Sequence, residues 1–287
     1  MNRRIHPIGL VVLLTYAIVT LAPIVWLVLT SVKQSTDIVA TPPRIIPTVS
    51  EQMPAAPMFR FSLDSYRRIL ARGGDSPLPY LVNSVVVAAV STLASVFLGA
   101  FAAYGFSRFR VPAEKDWLFF ILSTRLLPPL AVAVPISWMY YQLGLIDTHF
   151  GLILLYTCFN LSFSTWMMKA FMDEIPPAYE EAALLDGYTR MQVFFRIVLP
   201  QVTPGLLATA VFCLITAWNE FAFALTLTSE NAVTMPVRLN AISRVPGADI
   251  WGPLAAGAVF FMLPVVAFGL LMRKHLLRGL TFGAVKG

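Results

Sequence analysis

Apolar residues in this chain fall in long blocks, not in alternation with polar ones. Six blocks stand out, at residues 8–30, 81–106, 117–141, 151–168, 204–227 and 254–272. Each is close to or above the roughly 20 residues a helix needs to cross the hydrocarbon core of a bilayer. Lipid offers no partner to an open backbone amide, so each block predicts an α-helix, and the period-two pattern of a membrane barrel is absent. The expected fold class is an all-α polytopic membrane protein with six transmembrane helices. Pro128 and Pro129 fall inside the third block. They predict a kink or a broken helix there, a shape tolerated only where protein or a cavity covers it.

The polar stretches divide the chain. Residues 1–30 read as a short leading segment with the first span, 31–79 as a loop, 80–272 as the transmembrane core and 273–287 as a tail. Pro42, Pro43, Pro47, Pro54 and Pro57 forbid a regular helix at the start of the loop. Further on, Leu63, Tyr66, Ile69 and Leu70 have helical spacing, and Ser62 stands where a cap would. The first block follows Arg3 and Arg4. It exceeds the ~7–15 residues of a secretory-signal core and no small-x-small site follows, so it is expected to be a retained span.

Composition agrees with a membrane location: 57% of residues are hydrophobic and 13% charged. The net charge of +6 does not point to nucleic acid, because no basic stripe carries interleaved aromatics. With the N-terminus in the cytoplasm, Arg108, Arg110, Lys115, Lys169, Arg190 and Arg196 fall in short cytoplasmic pieces. Most of the cations on the opposite side then lie in one long outer loop, where the positive-inside rule is weak. Both termini are therefore expected in the cytoplasm. Cys158 and Cys213 sit in separate apolar blocks, and His6, His149 and His275 lack metal-ligand spacing. Neither a disulfide nor a metal site is expected.

One polar segment, 171–203, differs in kind. Pro176 and Pro177 suit a helix start, Glu180 and Glu181 lie near the positive end of its dipole, and Ala182, Ala183, Leu184 and Leu185 are good helix formers. After Asp186, Gly187 stands where a left-handed cap is needed. A second helical piece is expected from Thr189, ending before Pro200. Ala178, Ala182 and Leu185 share a face on which another protein could come close.

This combination, closed by Leu199 and Pro200 before the fifth span, resembles the EAA loop of ABC-type importer permeases. Nearly the whole chain is similar to the carbohydrate-uptake branch of that family, the maltose-permease G-type subunits. Asn83-Ser84, Ala103-Tyr104, Trp218-Asn219-Glu220, Gly279-Leu280-Thr281 and the tail Gly283, Ala284, Val285, Lys286, Gly287 also match. Tyr188 and Phe282 stand where relatives carry small residues. The resemblance implies the type I importer permease fold in a bacterial plasma (inner) membrane. It implies a heterodimer with a second, homologous permease, two copies of an ATPase holding ATP and Mg, an external solute-binding protein, and a saccharide or polyol as cargo. It makes Glu180, Glu181, Ala182, Ala183, Asp186, Gly187, Leu199 and Pro200 the ATPase-coupling surface, and the last five residues a second contact with the ATPase. The polar segment 231–251 would touch the solute-binding protein.

No GxxxxGK[ST] loop occurs, so no nucleotide or other cofactor is expected on this chain itself. Polar groups inside the spans mark candidates for the translocation path: Arg125, Trp218, Asn219, Glu220 and, at the entry to the second span, Asn83. An intramembrane carboxylate faces protein or water. Glu220 therefore either lines a sugar path or bonds to a neighbouring span, and the residues alone leave both open. Trp166, Trp218 and Phe221 could stack on a sugar, although packing is the commoner role. HExxH, GxSxG and a catalytic Asp/His pair are absent, which argues against an enzyme. A stand-alone ion-coupled carrier should have acidic or His residues in several spans. Glu220 is the only carboxylate clearly inside one.

Overall fold

The computed structural model describes residues 7–48, 56–71 and 76–282, with the backbone alone at 248 and 273–282. The chain forms two compact units, one from residues up to Pro79 with Arg238–Pro264, the other from Tyr80–Val237 and the residues from Val265 on.

In the first unit, α1 (Pro7–Ser31) is apolar on every side and only Ser31 is buried. A helix with no polar face belongs in lipid. A short turn, α2 (Ser35–Ile38), precedes strands β1 (Ile46–Thr48) and β2 (Met58–Arg60), which pair in parallel with Ile46 opposite Met58. Asp37 holds this segment together: its buried carboxylate accepts from the Arg44 guanidinium at 2.5 Å and the Arg60 amide at 2.7 Å. Burial opposes the Asp37 charge, but the Arg60 bonds and the two guanidiniums outweigh it and lower the pKa. The prolines do exclude a long helix here. The strand pair was not legible, because its partners meet across a loop. Helix α3 (Asp64–Leu70) follows, its first amide donating to Ser62 Oγ at 3.0 Å.

In the second unit, α4 (Leu78–Arg108) buries a stripe of small residues that includes Ser84, Ala88, Ser91, Ser95, Gly99 and Ala103. Small side chains let membrane helices approach closely. A Cβ at Gly99 would run into Ser164. The third block is not a continuous helix. Helix α5 (Glu114–Ser123) passes through a 3-10 turn, Thr124–Leu126, and meets α6 (Pro129–Gln142) at 91°. Pro128 and Pro129 supply no amide to continue the ladder. Helix α7 (His149–Asp173) is capped by Thr148 Oγ1, which accepts from Gly151 N at 3.0 Å.

The interhelical hairpin contains α8 (Ala178–Leu185), α9 (Arg190–Val193), a π segment at Phe194–Val198 and α10 (Leu199–Gln201). The second piece was expected to stop before Pro200. Instead it runs on to Gln201, because the wider π register just ahead accommodates the proline. A 78° bend leads into α11 (Thr203–Trp218). The fifth block also breaks: α11 ends at Trp218 and α12 begins at Ala222, running to Leu227. Glu220 lies in that break and accepts from the amides of Phe223 at 2.8 Å and Ala224 at 3.1 Å, the donors a helix start leaves open. Helices α13 (Met235–Ser243) and α14 (Trp251–Phe282) complete the chain, α14 continuing past residue 272. Among the described residues, four helices are long and apolar enough to span a bilayer, or up to six if each bent pair counts as one span.

Candidate functional site

Two regions of the second unit collect the predicted residues. The first is the hairpin. Helix α8 turns Glu180 and Ala183 inward and leaves Tyr179, Glu181, Ala182 and Leu185 outward, Leu185 being 89% exposed. Gly187 closes the helix at φ +87°. Its N–H donates to Leu184 O at 3.1 Å and the Tyr188 N–H to Ala183 O at 3.0 Å. These two bonds form a Schellman cap. Thr189 and Gln192 then make a reciprocal capping box at the start of α9. Asp186 and Pro200 are exposed, and Leu199 is half-buried. The outward face therefore mixes a large apolar side chain with Glu181 and a small alanine.

The inward face is anchored. Glu180 pairs with Arg108 Nε and accepts from the Tyr104 hydroxyl at 2.9 Å. Arg108 Nη2 also donates to the carbonyls of Met172 at 2.9 Å and Ile175 at 3.0 Å. Around this ion pair, Phe101 stacks on Phe194 at 4.7 Å, and Met168, Met172, Val193 and Val198 are fully buried. The hairpin is thus fixed to the ends of α4 and α7. Sequence reasoning found Glu180 but not its partners. Arg108 read only as a topological charge, because its partner lies 72 residues away.

The second region is a cavity of about 170 Å³ lined by Arg125, Tyr156, Phe159, Asn160, Thr216 and Glu220, among others. The breaks in the third and fifth blocks create it, bringing Arg125 and Glu220 to one place. Glu220 accepts from Tyr156 Oη at 2.5 Å in addition to its two backbone donors. Arg125 Nη2 donates to Thr216 Oγ1 at 3.2 Å, and its guanidinium lies over Phe163 at 5.1 Å and Phe212 at 5.8 Å. Trp218 is buried beside the cavity without being among its lining residues. Asn219 turns its amide to Ile215 O at 2.8 Å. Asn83 stands elsewhere, donating to the carbonyls of Asn231 at 3.0 Å and Val233 at 2.9 Å and bonding His149 at 2.8 Å. Tyr156, Asn160 and Thr216 are additions from the structure, since one hydroxyl or amide in an apolar helix gives no signal by itself.

Near Asn83 lies a carboxylate that the sequence did not single out. Asp147, at φ +56°, accepts from the amides of Ser229, Glu230, Asn231 and Ala232 at 2.9–3.1 Å and from Asn231 Nδ2 at 3.0 Å. Burial opposes its charge, but the four amides outweigh this and hold its pKa well below the usual carboxylate range. The predicted tail contacts, Gly283, Ala284, Val285, Lys286 and Gly287, lie outside the described residues. Among the described residues no group of three or more His, Cys, Asp or Glu could hold a metal.

Residues 95–281 match the family described as "Binding-protein-dependent transport system inner membrane component", and the chain belongs to it. It is therefore a multi-pass inner-membrane permease subunit of an ABC importer, in which a separate ATPase hydrolyses ATP. Among similar proteins is a probable ABC transporter permease, y4oR, of Sinorhizobium fredii, 34% identical over 94% of this chain and 92% of that one. The trehalose transport system permease protein SugB of Mycobacterium tuberculosis is 36% identical over 79% of this chain and 82% of its own. The trehalose/maltose transport system permease protein MalG of Thermococcus litoralis is 29% identical over 94% and 93%. The crystal structure of a bacterial ABC transporter involved in the import of the acidic polysaccharide alginate shares the fold, with a TM-score of 0.75 at 20% identity, covering 93% of this chain and 94% of that one.

Proposed function

We propose that this permease carries a saccharide or a sugar-like solute, as a heterodimer with a homologous second permease. An external solute-binding protein delivers the cargo, and two copies of an ATPase, charged with ATP and Mg, dock on the hairpin. Both termini and the hairpin face the cytoplasm, in agreement with the bias of short-loop cations. The relatives named for trehalose and maltose transport support the cargo class.

The observation that carries the coupling role is the two-sided hairpin. Its inner side is bolted to α4 and α7 through Arg108 and Glu180, while its outer side leaves Leu185, Tyr179 and Glu181 exposed. A handle of that kind transmits rigid-body motion, because a push on the outer face cannot be absorbed by a loose inner one. When the ATPases close, α8 moves with them and drives the spans between outward- and inward-facing arrangements. The test is co-expression with the candidate ATPase and second permease, followed by co-purification and sugar uptake. The expected result is a stable complex whose uptake vanishes when the ATPase is inactivated. Solute movement by the purified chain alone would favour an ion-coupled carrier instead.

A further inference from the structure

Arg125 is a permanent cation at a helix break in a membrane protein. Such a charge is costly unless paired or unless it marks a solute path. Among the described residues, Arg125 makes no ion pair. Its polar partner is one threonine hydroxyl, its face lies on two phenylalanine rings, and its Nη1 is buried with no hydrogen-bond partner. Glu220 lines the same cavity, yet its oxygens are taken up by Tyr156 Oη and the amides of Phe223 and Ala224. The carboxylate serves as the cap of α12 and leaves the Arg125 charge unanswered. Across the cavity, Asn160 is pinned by its Nδ2 to Cys213 O at 3.2 Å, and its Oδ1 is also buried without a partner.

We infer that this cavity is a solute subsite in which Arg125 takes an oxyanion, carboxylate or sulfonate, on an acidic saccharide, while Asn160 Oδ1 accepts from a neighbouring hydroxyl of the same solute. The guanidinium fork suits a planar or tetrahedral oxyanion better than a lone hydroxyl, since it offers parallel N–H donors. The rings of Phe163 and Phe212 hold the fork in position and exclude water from its face. Tyr156, Phe159 and Phe223 supply apolar wall against which a sugar ring can rest. The subsite places part of the substrate selectivity on this subunit.

The inference rests on the proposed importer reading, and its test separates the two. The complex with the second permease and the ATPase is purified with the native chain, Arg125→Lys and Arg125→Gln. Each is titrated calorimetrically with a glucuronosyl-glucose disaccharide and with maltose as the neutral control. The native complex should prefer the acidic sugar by about 10-fold or more, the range of a charge-assisted hydrogen bond. Lysine should keep part of that preference, and glutamine should abolish it. Equal binding of both sugars by the native complex overturns the inference and leaves the importer reading intact. Retention of the acidic preference by Arg125→Gln overturns it as well. Loss of the second permease from the Arg125→Gln complex, with Arg125→Lys assembling normally, would assign the counter-charge to the partner subunit and overturn the solute role. A native chain that retains no ATPase would remove the importer reading and the inference together.

Discussion

Arg108, the last residue of α4, and Glu180, in the first turn of α8, form a buried ion pair whose side chains are 9% and 3% exposed. Their carboxylate–guanidinium contact is completed by Tyr104, the Met172 carbonyl in the last turn of α7 and the Ile175 carbonyl just beyond it, so both charges are hydrogen-bonded as well as paired. This is the geometry in which removing one partner costs most, because the other stays buried alone. Glu180→Gln or Arg108→Gln should each lower stability by roughly 3–5 kcal/mol. The double variant should lose clearly less than the sum. Thermal unfolding of the four proteins measures the coupling, and purely additive effects would deny the pair its anchoring role.

Gly187 tests the handle itself. Its φ of +87° is the reason for glycine there, since a Cβ would meet no atom within 4 Å. Gly187→Asp should strain the turn by about 1–2 kcal/mol and swing α9 relative to α8. The variant is expected to reach the membrane, yet to lose ATPase co-purification and uptake by at least about 10-fold. Gly187→Asn should be milder, because asparagine tolerates the left-handed region. Normal uptake by Gly187→Asp would remove the turn from the coupling mechanism.

Asp147 gives a pH signature. Its folded pKa lies below the unfolded value of about 3.9. Its contribution is therefore complete above pH ~4 and disappears as pH falls through the folded pKa. Asp147→Asn replaces an acceptor oxygen with an NH2 that faces amide donors, an expected loss of about 1–3 kcal/mol at neutral pH. Melting temperatures of native and variant protein should converge as the buffer is taken from pH 6 toward pH 2. A constant gap over that range would show that the carboxylate charge is not what holds residues 229–232.

Gly99 sets the distance between α4 and α7. Because any Cβ there meets both the side chain and the backbone of Ser164, Gly99→Ala should destabilise by about 1–3 kcal/mol. Adding Ser164→Gly should recover a large part of that loss. Thermal stability of the three proteins decides the matter. No recovery in the double variant would mean that the close approach is not the cause.

The sequence was strong where local rules suffice. Long apolar runs have one solution in lipid, so the helical class and the positions of α1, α4 and α7 followed from block length alone. The Gly187 cap was readable because a left-handed residue at a helix end has few chemical options. The proline pair at 128–129 announced a break but not its 91° angle, which depends on what α5 and α6 pack against. Hydropathy did not register the gap at Asn219–Phe221, since two apolar helices divided by three residues average to one apolar run.

What the tertiary structure decided is which polar residues meet. Glu180 and Glu181 are neighbours of one type, but the 3.6-residue turn sends one into an ion pair and the other to the surface. Arg125 and Glu220 share a cavity without sharing charge, because two local amides and the distant Tyr156 hydroxyl claim the glutamate first. Asp147 and residues 229–232 are more than eighty positions apart. Pairings over that separation carry no local signature. They depend on helix packing, which the hydrophobic pattern demands but does not aim.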